Sequence, residues 1–213
     1  MIITYEGLEC IKIQHGNTIV AFNPISKDSK IKGPSFGADV VFISANHPDF
    51  NGVDSTSRGD KVPFVISGPG EYEVNGLIAK GFISNTEHGG KERKNTIYSV
   101  TIDSMNVVYL GAISDKDVSN EIKEELADVD ILFVPIGGEG VLSPSDAHRI
   151  AIKREPKVII PIHFGNVGDK DALKNFLKEG GNDGVKAVDK LTVKAKDIAG
   201  KVGEVVVLSP SVR

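Results

Sequence analysis

Few side chains in this sequence can do chemistry, and the useful ones stand at the ends of apolar runs. The run Val41-Phe42-Ile43-Ser44 leads into Ala45-Asn46-His47-Pro48-Asp49-Phe50-Asn51-Gly52, which places an imidazole and a carboxylate two residues apart. A second run, Pro156-Lys157-Val158-Ile159-Ile160-Pro161-Ile162, closes on His163-Phe164. Neutral imidazoles and carboxylates suit a borderline divalent cation such as zinc. Other chemistry is weaker. Gly68-Pro69-Gly70 and Gly137-Gly138-Glu139-Gly140 lack the Lys-Ser/Thr ending of a phosphate loop and form no G-x-G-x-x-G fingerprint, so both read as turns. Ser143 and Ser145 near His148 read as an ordinary helix start rather than a nucleophile pair. The lone Cys10 lies in an alternating run, so no internal disulfide can form and a buried thiol is expected.

The elements that must position these residues are mostly strands. Short β-type runs separated by Gly, Asn and Asp turns dominate the first half. Cys10 to Gln14 and Thr18 to Phe22 flank a hairpin signal at His15-Gly16-Asn17, and Asn75-Gly76 splits Tyr72 to Val74 from Leu77 to Ile83. Val40 to Ser44 and Val62 to Ser67 are further strands, and Thr96 to Ile102 pairs with Val107 to Leu110. Three helices are expected: one carrying Val118, Ile122 and Leu126 on one stripe, one capped by Ser143 or Ser145, and one running from Asp169 to Gly180-Gly181. Ile131 to Ile136 and Val158 to Ile162 are too continuously apolar to be exposed on either face. Two sheets packed face to face with helices outside accommodate this order, although layer logic also permits another mixed α/β arrangement.

Composition narrows the function. The 213 residues, 40% hydrophobic and 25% charged, suffice for one domain over 1–213 with a two-layer core. Neither a membrane helix nor a signal peptide is apparent, so a cytoplasmic protein without a membrane partner is expected. A net charge of -4, with the C-terminal lysines interleaved with acids, argues against nucleic acid as a partner. A small-molecule ligand or substrate remains, and no pattern specifies an oligomeric state.

The segment around His47 resembles the H-x-H-x-D-H motif of the metallo-β-lactamase superfamily, with only the second His and the Asp kept. Flanking marks extend the resemblance in order along nearly the whole chain. Ile19-Val20-Ala21-Phe22-Asn23-Pro24 resembles a strand usually ending in Asp-Pro. Gly68-Pro69-Gly70-Glu71-Tyr72-Glu73-Val74, Asn95-Thr96-Ile97-Tyr98, Asp130 to Gly138 and Pro156 to Phe164 match further landmarks, and Tyr109-Leu110-Gly111-Ala112 matches Leu-Gly-Asp except at Ala112. The similarity is greatest to the small bacterial zinc-dependent-hydrolase-like branch that includes the ascorbate-6-phosphate lactonase.

The resemblance implies an αββα four-layer sandwich, an α/β fold, and two metal ions sharing a hydroxide that attacks an ester, amide, lactone or phosphodiester. Carried over by position, the first ion uses the places of Ala45, His47 and His88, and the second those of Asp49, Phe50 and His163, with Ala112 at the bridge. His47, Asp49, His88 and His163 therefore survive as candidate metal ligands, with Asp49 also the candidate catalytic residue. The four are expected to converge within about 12 Å at one edge of the sheets, more than the span of a two-metal cluster. Two readings of them stand open. The centre has decayed to an impaired or non-catalytic, metal-free binding pocket, or a single divalent metal, zinc first, or a remodelled pair supports hydrolysis of a small ester, lactone or phosphodiester. His88, in the loop Glu87-His88-Gly89-Gly90, can also be a solvated loop residue, while His15 and His148 read as surface residues. Glu71, Asp115 and Asn85 are possible substitute ligands with no spacing rule behind them.

Overall fold

The computed structural model describes residues 1–118, 122, 124 and 128–211. Among these residues thirteen strands assemble into two sheets. The first has the order β12-β1-β2-β3-β4-β5, built from Ile2–Gly7 (β1), Cys10–His15 (β2), Thr18–Phe22 (β3), Val40–Phe42 (β4), Phe64–Ile66 (β5) and Leu191–Thr192 (β12). The second has the order β13-β11-β10-β9-β8-β7-β6. Its strands are Gly70–Val74 (β6), Leu77–Thr86 (β7), Arg93–Ile102 (β8), Met105–Tyr109 (β9), Ile131–Pro135 (β10), Val158–Ile162 (β11) and Glu204–Val205 (β13).

The expected hairpins form, and local residues explain them. Val74 pairs with Leu77 across Asn75-Gly76, both at positive φ, as a two-residue hairpin turn requires. β8 and β9 join through a tighter turn than the sequence suggested. Ile102 pairs with Met105 across Asp103 and Ser104 alone, both left-handed, so Met105 and Asn106 belong to the strand.

Alternation along β3 and β4 divides their side chains between two layers. Val20, Phe22, Val40 and Phe42 face the inter-sheet core, while Ile19, Ala21 and Val41 pack outward with Phe36, Ala38 and Val53 of α1 (Val53–Thr56). Inside, Phe22 stacks on Phe42 at 4.8 Å and meets Tyr109 of the other sheet at 4.8 Å, while Phe42 meets Tyr98 at 5.0 Å. The parallel strands β10 and β11 are buried along their whole length, as their uninterrupted apolar character demands.

Helices α2 (Pro144–Ile152) and α3 (Ala172–Glu179) pack together, and α2 rests on β10, so they cover the seven-stranded sheet. Ser143 caps α2 by accepting from the Asp146 amide at 3.2 Å, whereas Asp171 rather than Asp169 is the residue that precedes α3. The helix expected to carry Val118, Ile122 and Leu126 falls largely outside the described residues, although Val118 and Ile122 are buried in the core. The two sheets face each other as the αββα resemblance implies, with helical cover that is sparse over the first sheet among the described residues. Among the described residues no helix is long and apolar enough to cross a membrane.

Candidate metal centre

The candidate residues sit where strands end. After β4 the chain makes a tight turn in which the Phe50 and Asn51 amides donate to the His47 carbonyl at 2.8 and 3.0 Å. Gly52 closes the turn against residue 25: a Cβ there would lie 2.3 Å from the Ile25 carbonyl carbon, so only glycine lets the two segments touch. His88 begins a short 3-10 turn after β7, its amide donating to Thr86 Oγ1 at 3.2 Å and its carbonyl accepting from Arg93 Nη1 at 2.7 Å. His163 follows β11 at a φ of 59°, a left-handed conformation uncommon for histidine. The close approach of Gly137 leaves no room for a side chain there, since a Cβ would stand 2.4 Å from His163 Cδ2.

These turns bring His47, Asp49 and His88 together, with one donor atom from each lying within 4.8 Å of the other two. Asp49 is the hub. Its Oδ2 meets His88 Nε2 at 2.8 Å and His47 Nδ1 at 3.4 Å, and its Oδ1 accepts from Ser29 Oγ at 2.5 Å. The His47 ring is oriented by the Asp49 amide, which donates to Nδ1 at 3.2 Å, so Nδ1 presents a lone pair. Burial pushes the Asp49 carboxyl up, but hydrogen bonds from His88 and Ser29 and the nearby imidazoles outweigh it and hold the carboxyl below its ordinary value. Burial dominates at His47 and, with His88 and Arg93, lowers its pKa against the pull of Asp49, which favours the neutral imidazole that a metal requires.

His163 stands beside this trio without joining it. Its ring meets the His88 ring edge-on at 5.4 Å, while its Nδ1 is 2.9 Å from Glu9 Oε1. The four expected residues thus form one contiguous group, in which three share donor distances and the fourth is tied elsewhere. His88 is no solvated loop residue, because only 14% of its side chain is exposed and its Nδ1 is buried, with no hydrogen-bond partner among the described residues.

The positions that carry no donor are closed by apolar packing. Phe50 is fully buried, its ring 4.6 Å from His88 and 5.8 Å from His47, in a cluster with Leu8, Cys10, Ile25, Ala45, Ala112 and Val141. Cys10 is the buried core thiol its strand position suggested, with its pKa pushed up by burial. The possible substitutes point elsewhere: Glu71 is largely exposed and 3.7 Å from Lys80, and Asp115 accepts from the Asn85 amide at 2.8 Å. His15 is half exposed, as expected, and His148 packs edge-on against Phe176.

Sequence reasoning missed Glu9 and Ser29. Glu9 is completely buried, and both carboxylate oxygens are used, Oε1 by His163 and Oε2 by Asn23 Nδ2 at 3.0 Å. Nothing local marks it, because its partner lies 154 residues away.

The donor types suit a divalent cation. Two imidazoles and a carboxylate are ligand types that zinc takes, and three is the number of protein ligands typical of a catalytic site. The unpartnered Nδ1 of His88 is a second sign, since folding leaves few desolvated polar atoms unmatched.

Known proteins bear on this arrangement. A family profile described as the beta-lactamase superfamily domain matches residues 2–163. A UPF0173 metal-dependent hydrolase of Listeria welshimeri is 25% identical over 197 residues, covering 77% of this chain and 85% of that protein. Among solved structures, a Thermotoga maritima protein assigned to the Zn-dependent hydrolases of the metallo-β-lactamase superfamily is 27% identical, with a TM-score of 0.70 and 97% of each chain covered. Igni18, a metallo hydrolase of Ignicoccus hospitalis, is similar in fold, with a TM-score of 0.64 at 17% identity over 91% of this chain and 99% of that one. With its landmarks in order, its two facing sheets and this match over three quarters of its length, the chain belongs to the β-lactamase superfamily in its metallo-β-lactamase fold.

Proposed function

We propose that the protein is a one-metal hydrolase of its superfamily, in which His47, Asp49 and His88 hold a single divalent cation, zinc first, and a small ester, lactone or phosphodiester is cleaved. The observation that carries this is the gathering of three suitable donors within 4.8 Å beside a flank filled by Phe50, Ala45 and Ala112. When bound, such an ion acts as a Lewis acid and lowers the pKa of a water toward neutrality. The chain's own contribution is orientation and exclusion. Asp49 aligns both imidazoles, burial favours neutral His47, and the Phe50 cluster keeps solvent from one side of the trio. A cleft of about 520 Å³ lined by Ala45, Asn46, Asn51, Lys94 and Thr96 adjoins the loop that carries His47 and Asp49. Its side-chain amides and one ammonium suit a small anionic substrate. Turnover is expected to be slow, because one ion must do what a pair shares in a two-metal centre.

A second reading rests on a specific observation. Both oxygens of Asp49 are already engaged, by Ser29 and His88, so the cluster can close on itself and serve a non-catalytic binding protein. In either case the protein is proposed to act as one domain, in the cytoplasm, on a small molecule rather than on nucleic acid or membrane, and the net charge of -4 supports that choice of partner.

Zinc titration of chelator-treated protein by calorimetry separates the two. One ion per chain, lost on Asp49→Ala, together with zinc-dependent cleavage of a small ester or lactone, is the expected result. No binding, or binding indifferent to Asp49→Ala, sinks the one-metal proposal and leaves the binding protein.

A further inference from the structure

We propose that Glu9 is a positioning residue for His163: it accepts a hydrogen bond from Nδ1–H and so leaves Nε2 as the bare, lone-pair-bearing nitrogen beside His88. This rests on the one-metal proposal only for its use, since a bare Nε2 is the form in which an imidazole can ligate a cation or accept a proton.

Glu9 is placed with unusual care for a residue in a turn. It lies between β1 and β2, is fully buried, and has its backbone carbonyl fixed by the Tyr109 hydroxyl at 2.7 Å. The neighbouring Leu8 carbonyl accepts both from the Tyr5 hydroxyl at 2.6 Å and from the His163 amide at 2.7 Å, which ties the turn directly to the end of β11. An uncompensated carboxylate in such a place is costly, and here each oxygen has one donor. Asn23 Nδ2 serves Oε2 at 3.0 Å and also donates to Ser44 Oγ at 2.7 Å, while Asn23 Oδ1 accepts from the Ser44 amide at 2.7 Å. The orientation of the Asn23 amide is therefore set by backbone: its oxygen faces Ser44 N, and its NH₂ must face Glu9. With Asn23 a fixed donor, His163 Nδ1 is the only other donor to the carboxylate at hydrogen-bond distance among the described residues. Nε2 has no hydrogen-bond partner among them, and His88 Nδ1 on the adjoining ring likewise has none. Conformation adds to the constraint. A left-handed φ at His163 and the absence of a side chain at Gly137 allow the ring to occupy this one position.

The fixed direction of Asn23 makes the test sharp. In Glu9→Gln the side-chain carbonyl must turn to the Asn23 donor, which points the new NH₂ at His163 Nδ1. Nδ1 then has to accept, and the ring is expected to switch to the Nε2–H tautomer. Adding Asn23→Asp reverses the choice. The carboxylate so introduced accepts from the new side-chain NH₂ and turns the side-chain carbonyl of the first substitution back to His163. Nitrogen chemical shifts of the His163 ring, read by NMR in metal-free protein at about pH 8, above the ordinary imidazole range, report the tautomer directly. The expected series is Nδ1–H in the parent, Nε2–H in Glu9→Gln and Nδ1–H again in Glu9→Gln/Asn23→Asp. If Glu9→Gln does not fold, the parent and the double variant still decide, since both must show Nδ1–H. An Nε2–H parent, or a tautomer unmoved by Glu9→Gln, overturns the proposal whether or not zinc binds. A parent that binds no zinc but shows the expected tautomers refutes the one-metal proposal and upholds the role of Glu9.

Discussion

Replacing Phe50 by histidine tests the claim that an apolar ring occupies the flank where a second ion would be held. Phe50 is fully buried and sets its ring 4.6 Å from that of His88, at a tilt of 52°, within a cluster of Leu8, Cys10, Ile25, Ala45, Ala112 and Val141. None of those neighbours offers a strong hydrogen bond to an imidazole. The Phe50→His variant without metal therefore loses aromatic packing and buries an unmatched polar group, at a combined cost of about 3 kcal/mol. For a chain of 213 residues each kcal/mol moves the melting point by about 2–4 °C, so the metal-free variant should melt roughly 6–12 °C below the parent. Zinc should then recover much of the loss, because a ligand that binds only the native state at 100 times its Kd contributes about 2.7 kcal/mol. Adding Ala45→His and Ala112→Asp supplies further donors but crowds buried positions, and the carboxylate at 112 arrives beside Asn95 Oδ1, which accepts from the Ala112 amide at 3.0 Å. Each of these changes should cost a further 1–3 kcal/mol or so without metal. Thermal unfolding of parent, single and triple variants, with and without zinc, gives the answer. If zinc raises the melting point of the variants no more than that of the parent, Phe50 does not stand in an ion's place.

Acid should weaken the fold in two stages. His47 has its pKa lowered from an ordinary 6.5, so the native state resists its protonation and stability should begin to fall as pH drops below about that value. Asp49 lies below its ordinary 3.8, so the stability from its ionised form is complete above that value and is lost only as pH falls through the lower native pKa. Urea unfolding of parent and Asp49→Asn across this range should show a gap at neutral pH that closes in strong acid; a gap that does not change with pH argues against an ionised Asp49 as the hub. Gly137→Ala should destabilise by about 1–3 kcal/mol and displace the His163 ring, since the new methyl would stand 2.4 Å from its Cδ2. Unchanged His163 resonances in that variant would show that the close approach does not hold the ring.

How much of this was legible in the sequence depends on whether the cause is local. β10 and β11 could be read directly, because strands covered on both faces must be apolar throughout, and the Asn75-Gly76 hairpin could be read because its turn needs left-handed residues. The convergence of His47, Asp49 and His88 was reached only through the family motif, since residues 47 and 88 belong to different sheets' ends and no spacing rule joins them. His88 illustrates the limit: a histidine between Glu87 and two glycines has the composition of a solvated loop, and its burial comes from Phe50 and His163 packing against it from distant segments. Glu9 was invisible for the same reason in stronger form. An acid in a two-residue turn between strands is ordinarily a surface residue, and only the arrival of His163 and Asn23 makes burial of its charge tolerable. The residues without donors at 45, 50 and 112 could be read one by one, but their joint packing could not. Small and aromatic residues there meet Leu8, Ile25 and Val141 and close into a packed apolar cluster. That packing leaves His47, Asp49 and His88 as the gathered donors beside it.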